Sequence, residues 1–266
     1  MIDEDVSFAG IDRRINAFLV RPELARDATA PAVIVIHEIW GLDDHIRDVA
    51  RRFAREGFVA LAPDMYSGAL KEAMSPENIM AGMKFLREAP PEVQRDPSLM
   101  RSRLEQLSPD ERRALTTLMD VMSPDRRTVF ARDLVRAVEY LRARPDTGLV
   151  GSLGFCFGGG LSARLATLSK ALRACVIFYG ENPPLDRVSE IVAPVLGIYG
   201  GEDPRITDTV PAFAAAMEAA HKTFEYHVYP GARHAFFNDT RPMYDKDAAA
   251  DAWTRSLSFL HRELDA

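Results

Sequence analysis

The hydrophobic pattern of this chain alternates between two kinds of segment. Short continuous apolar runs, bounded by turn residues, recur at AVIVIHEIWG (32–41), FVALAPD (58–64), GLVGSLGF (148–155), ACVIFYG (174–180) and PVLGIYG (194–200). Runs of this length, rich in Val and Ile, predict strands buried on both faces of a parallel sheet. Between them lie amphipathic segments with a helical period. In DDHIRDVARRFAREG, Ile46, Val49, Ala50 and Phe53 share a face, Asp43 or Asp44 suits the cap, and Gly57 the stop. In TVFARDLVRAVEYLRARPDTG, Phe130, Leu134, Val138 and Leu141 are in register. TDTVPAFAAAMEAAHK and DAAADAWTRSLSFLHREL predict two further helices, and FEYHVYP alternates as a last strand. VSF and INAFLV around AGIDRR predict an edge hairpin at the N-terminus. Strand and helix in alternation imply an α/β fold with a mostly parallel central sheet flanked by helices.

One section breaks the alternation. Residues from about 68 to 126 contain helical patches punctuated by Pro-containing turns, between a strand and the next sheet helix. Their Met and Leu content is too high for a plain linker. The expectation is one domain over residues 1–266 with a helical cap inserted at about 68–126.

Composition narrows the chemistry. The 266 residues are 47% hydrophobic and 27% charged, enough for a core that needs no disulfide or metal. The net charge of -6 argues against nucleic-acid or anionic-membrane partners, and no apolar run approaches the roughly 20 residues of a membrane span. The N-terminus MIDEDVSFAG lacks the basic start of a signal peptide, and two cysteines make no disulfide framework. The expectation is a cytoplasmic protein, monomer or homodimer, acting on a small molecule.

The candidate chemistry begins at GSLGFCFGG. Cys156 stands at a strand-to-helix corner with Gly154 and Gly158 two residues to either side. The pattern Gly-x-Cys-x-Gly is the cysteine form of the strained turn that lifts a nucleophile above the carboxyl ends of parallel strands, at a helix start whose dipole favours a thiolate. The plain alternative is a small buried hydrophobe, which is how Cys175 is read. A thiol acting on an acyl group needs a base, and the base an orienting acid. His234 follows the strand FEYHVYP; Asp203, or its neighbour Glu202, follows PVLGIYG. The order nucleophile, acid, histidine is that of α/β-hydrolases, in which the loop after the first buried strand and the residue after the nucleophile supply the oxyanion-hole amides, here Ile39 and Phe157. Glu38 ends that first strand, either as a charge escaping to solvent or as a group coupled to the thiol. Trp40, Tyr66, Phe236 and Phe237 are candidates for pocket or core. His45, His221, His227 and His261 read as structural or solvent-facing, and no His pair has metal-ligand spacing.

Together HEIWGL, APDMYSG, GSLGFCFGG, YGGEDPRI and GARHAFFND, in this order over nearly the whole chain, make the sequence resemble the dienelactone hydrolase family. The resemblance implies an α/β-hydrolase fold and a Cys156-His234-Asp203 triad. It implies that Glu38 interacts with the thiol and helps to deprotonate it when substrate arrives. It also implies hydrolysis of a small ester or enol-lactone through a thioester, without a cofactor. Members of that family place an arginine four residues after the histidine, where this chain has Asn238, and another just past the Asp-x-Tyr stretch, where it has Ser67 and Gly68. Asn238, with Trp40, Tyr66 and Phe236, is therefore a candidate substrate contact, and Arg233, Arg241 or an arginine of the cap could replace the missing cations. The competing readings are an esterase or thioesterase for longer acyl chains, with the Met-rich cap as lid, and a non-hydrolytic protein with Cys156 as a redox-sensing thiol.

Overall fold

The structure, a computed structural model, describes residues 1–265, the Gln94 side chain excepted. The N-terminal hairpin forms as β1 (Ile2–Ala9) and β2 (Arg14–Arg21), paired antiparallel. The apolar runs become β3 (Ala30–Ile36), β4 (Val59–Pro63), β5 (Thr147–Phe155), β6 (Ala174–Phe178) and β7 (Val195–Gly200), and the alternating run becomes β8 (Phe224–Tyr229). They join in one eight-stranded sheet of order β1-β2-β4-β3-β5-β6-β7-β8. Every pair from β4 onward is parallel. The carboxyl ends of β3, β5 and β6 are in step, Ile36 opposite Gly154 and Phe155 opposite Phe178. That shared rim is where the sequence places its chemistry.

The alternation of side chains sorts the helices onto the two faces. Val33, Val35, Leu153, Phe155, Val176 and Phe178 form one buried cluster with Ile46, Val49 and Phe53 of α1 (Asp44–Arg55) and with Phe259, Leu260 and Leu264 near the chain's end. The intervening positions point the other way. Cys175 of β6 lies 3.3 Å, sulfur to oxygen, from Ser162 of the helix that starts at Phe157, which places that helix on the opposite face. Asp43 caps α1, its carboxylate accepting the Ile46 N–H at 3.0 Å.

The described chain divides into two compact units: residues 1–65 with 129–266, and residues 66–128. The second holds α2 (Leu70–Ala73), α3 (Pro76–Arg87), α4 (Pro91–Arg95), α5 (Pro97–Glu105) and α6 (Pro109–Met122). The Pro-containing turns expected here separate short helices, and most of the prolines sit where a helix starts. Pro76, Pro91, Pro97 and Pro109 each occupy a first-turn position, where the lost N–H would have had no helical partner. Ser75, Asp96 and Ser108 cap three of these helices, and Ser108 with Glu111 closes a reciprocal capping box. The same rule moves the start of α7 (Pro124–Arg142) four residues ahead of Thr128, where its apolar periodicity begins.

The remaining helices are α8 (Phe157–Leu168), α9 (Pro204–Thr207), α10 (Val210–Ala219) and α11 (Lys246–Leu264). No described helix is long and apolar enough to cross a membrane.

Candidate active site

Cys156 caps α8 with φ 53° and ψ -113°. A positive φ with this ψ is a region that residues with a Cβ seldom occupy, and it costs on the order of 1–3 kcal/mol. The surroundings hold it there. The Cys156 N–H donates to the Phe178 carbonyl at 2.9 Å, and its carbonyl accepts the Gly160 N–H at 3.2 Å. The flanking glycines explain themselves by distance. A Cβ on Gly154 would sit 2.0 Å from the Gly158 carbonyl oxygen, and one on Gly158 would sit 2.4 Å from that of Ile36. The first turn of α8 thus lies directly on the end of β3. The turn leaves Cys156 half-buried at the rim while Phe155 and Phe157 on either side are buried.

His234 and Asp203 reach that rim from the loops after β8 and β7. His234 Nδ1 lies 2.5 Å from the Asp203 carboxylate, and the imidazole is near enough to the Cys156 side chain for the sulfur to act on its pKa. Asp203 is buried while Glu202 is exposed, so of the two acids only Asp203 meets the imidazole. Burial pulls the His234 pKa down, but the hydrogen bonds to Asp203 and Cys156, with their charges, outweigh it and push the value to about 10. The imidazole is a third exposed at most, so this is a property of the packed site and not of a solvated pair.

A consequence for stability follows. The folded His234 pKa stands above the unfolded value of 6.5, so its contribution is complete below about pH 6.5 and is lost as pH rises toward 10. The denaturation midpoint of the wild type, less that of His234→Gln, is expected to shrink steadily between those limits. A difference that stays flat from pH 6 to pH 10 would contradict the assignment of this proton.

Glu38 does not escape to solvent. It is 3% exposed, and its two oxygens are held by different elements. Asn238 donates its side-chain N–H to one at 2.7 Å, and the Tyr179 hydroxyl approaches the other at 3.4 Å. Burial raises the Glu38 pKa, while the Asn238 hydrogen bond and the nearby His45 oppose the rise. Burial and the charges of Glu38 and Cys156 push the Tyr179 phenol far upward, so it keeps its proton and has it to donate to the carboxyl. Asn238→Ala is expected to destabilise the fold by about 1–3 kcal/mol by leaving a buried carboxyl without its nearer donor. Because Glu38 titrates upward in the folded state, the loss should be larger at pH 8 than at pH 5, as read by urea denaturation at both.

Two of the expected pocket residues are placed elsewhere. Asn238 is fully buried, its amide turned to Glu38, and Phe236 is fully buried in the core between the Tyr179 and Tyr229 rings at 5.6 and 5.2 Å. Both lie on the turn after His234, which folds inward over the sheet rather than outward. Trp40 is half-buried with the Arg241 guanidinium 4.4 Å above its ring, and Arg233 is exposed. Tyr66 is buried and belongs to the second unit. Ile39 and Phe157 sit at the carboxyl end of β3 and the start of α8.

Two residues at this rim escaped the sequence reading. Tyr179 ends the apolar run of β6 and passes there for core; its φ of 37° and its place at a strand's carboxyl end are the signals that it does more. His45 is buried between Phe155 and Phe237, with Nδ1 3.2 Å from the Asp239 carboxylate. Its spacing of four from Val49 placed it on the core face of α1.

Comparison with known proteins shows what the chain is similar to. The model of the dienelactone hydrolase family matches residues 15–264. A protein of Saccharolobus solfataricus named "Putative carboxymethylenebutenolidase" is 38% identical over 262 residues, covering 98% of this chain and 99% of that one. A crystal structure described as "Putative Dienelactone Hydrolase" from Klebsiella pneumoniae superposes with a TM-score of 0.71 at 29% identity, covering 98% of both chains. A dienelactone hydrolase-like promiscuous phosphotriesterase from metagenomic libraries has the same fold, with a TM-score of 0.72 at 22% identity, covering 99% of this chain and 98% of that one.

Proposed function

Because the chain belongs to the dienelactone hydrolase family, with its α/β-hydrolase fold and a hydrolase activity of the carboxylic ester or lactone type, we propose that it opens a small ester or lactone through a Cys156-His234-Asp203 triad and a thioester. The observation that supports this reading is the buried Asp203 carboxylate 2.5 Å from His234 Nδ1, at the rim where the strained corner presents Cys156 close enough to act on the same imidazole.

The steps follow from what each group can do. With its pKa raised to about 10, His234 rests protonated and holds the proton of the pair, so Cys156 attacks as the thiolate, while Asp203 accepts the Nδ1–H. The sulfur lone pair forms a bond to the acyl carbon, and the carbonyl π pair moves onto its oxygen. The amides of Ile39 and Phe157 receive that oxyanion, a stabilisation of about 3 kcal/mol for each donor. Collapse breaks the bond from the acyl carbon to the alkoxy oxygen, which leaves with the proton from His234. Water, deprotonated by the now neutral His234, then attacks the thioester, and collapse releases the acid and the Cys156 thiolate beside the protonated imidazole.

Glu38 enters this scheme through its neighbours. Both of its oxygens already have donors, so its part is to hold Asn238 and Tyr179 beside the triad, with Tyr179 5.2 Å from the His234 ring. The substrate we favour is a dienelactone-like enol-lactone or small ester. No cation stands at position 238, and the guanidinium of Arg241 over Trp40 is the positive group of the same turn that is half-buried. The segment at about 68–126, inside the unit of residues 66–128, is proposed as the cap of a single hydrolase domain. Its exposed Met80, Met83 and Leu99 supply the apolar surface such a role needs.

The test is direct. Brief exposure to p-nitrophenyl acetate, quenched in acid, should leave an acetyl group that intact-mass and peptide mapping place on Cys156. Acetyl found on a serine instead, or none trapped during turnover, would overturn the proposal.

A further inference from the structure

His37 is fully buried, and nothing in the scheme above uses it. Its ring spans two pieces of backbone. The Met65 amide donates to Nε2 at 3.1 Å, so Nε2 carries the lone pair. Nδ1 lies 2.5 Å from the Glu38 carbonyl oxygen. A carbonyl can only accept, so Nδ1 carries the hydrogen. The ring is therefore neutral and fixed in one tautomer, and burial acts in the same sense by lowering its pKa.

What this fixes is the next peptide. The Glu38 carbonyl and the Ile39 N–H belong to one planar trans unit, in which C=O and N–H point in opposite directions. A group that grips the carbonyl decides where the N–H points. The Gly41 N–H reaches the same carbonyl at 3.4 Å, closing a turn over residues 39 and 40. Two donors on one carbonyl polarise the peptide and strengthen its N–H as a donor. The facing wall is set by the same segment, since Gly158 lies against the Ile36 and His37 carbonyls.

We propose that His37 is a positioning residue for the oxyanion hole: by donating Nδ1–H to the Glu38 carbonyl, it aims the Ile39 N–H at the oxygen that becomes negative when Cys156 attacks. The inference rests on the assignment of Cys156 and Ile39 made above. It adds a residue that meets neither substrate nor triad.

The experiment compares two reactions of the same sulfur in the full-length protein. Acylation by p-nitrophenyl acetate forms an oxyanion; alkylation by iodoacetamide displaces iodide and forms none. His37→Leu is expected to lower kcat for the ester about 10–100-fold, with KM and the alkylation rate each within about 3-fold of wild type, since only a transition-state donor is misaimed. The side chain of His37→Asn carries an N–H where Nδ1 stands and should recover most of the loss. That of His37→Gln, which can still accept from Met65 but offers no N–H at that place, should not. This pair decides the matter even if His37→Leu fails to fold. Equal losses in acylation and alkylation would show general damage to the site and overturn the proposal, as would an ester kcat unchanged in His37→Leu and His37→Gln. Ester turnover that survives in Cys156→Ala would mark instead a failure of the underlying triad, visible without any change at His37.

Discussion

Cys156→Ala is expected to lower the turnover of activated esters by on the order of 10⁴–10⁶-fold, the loss found when a covalent nucleophile is removed from an intact triad. The binding surface and the two oxyanion amides remain in that variant, so a residue of catalysis above the rate in water should persist. The fold should not suffer. Alanine has the same backbone restrictions as cysteine at φ 53°, and the sulfur is half-buried with His234 as its polar partner. The measurement is kcat/KM for p-nitrophenyl acetate and for dienelactone, alongside a thermal melt. A variant that keeps a tenth of wild-type turnover with a normal melt would remove Cys156 from the mechanism.

Gly154→Ala should abolish the native fold under ordinary conditions. Its Cβ would lie 2.0 Å from the Gly158 carbonyl oxygen and 2.9 Å from the Gly159 nitrogen, both backbone atoms that cannot turn aside. Relief requires β5 and α8 to part at the corner they share, at a cost above the roughly 4–5 kcal/mol that marks the extreme of single substitutions. Gly160→Ala is the contrast. The nearest atoms to its Cβ are at 3.5 Å or more, and in a helix alanine is favoured over glycine by about 1 kcal/mol. Soluble yield and denaturation midpoints of the two variants should move in opposite directions. A Gly154→Ala protein with a wild-type midpoint would show that the corner is looser than these distances imply.

The parts of the molecule legible in the sequence are those governed by short-range rules. A run such as ACVIFYG has no polar position to offer solvent, so it can only be a strand covered on both faces. Gly-x-Cys-x-Gly between such a run and an amphipathic segment fixes a turn whose geometry is local. The loops that bring His234 and Asp203 to the rim follow from the parallel part of the sheet, because β3 to β8 all end on the same side.

What remained hidden depends on long-range pairing. Asn238 and Glu38 lie 200 positions apart, and no periodicity links them; with an arginine expected at 238, the residue looked like a lost substrate contact rather than the partner of a buried carboxyl. Tyr179 carries its hydroxyl at the end of an apolar run, where hydrophobicity reads the ring and ignores the oxygen. The tie of the His37 ring to the Met65 amide and the Glu38 carbonyl was hidden as well, because backbone partners leave no trace in the alphabet of side chains. The prolines of residues 66–128 were legible as turns but not as helix starts. Proline interrupts a helix in its interior but suits its first turn, and only the capping Ser or Asp in front tells the two apart.

The backbone conformation at Cys156 carries a consequence for the history of the protein. Glycine would adopt it freely, so selection for folding stability alone would put glycine at 156 and discard the sulfur. Keeping a side chain there means that the rest of the sheet must supply a surplus to cover the difference. It also sets the order in which such a protein decays. A lineage released from its reaction gains stability by the very substitution that makes the loss of activity permanent.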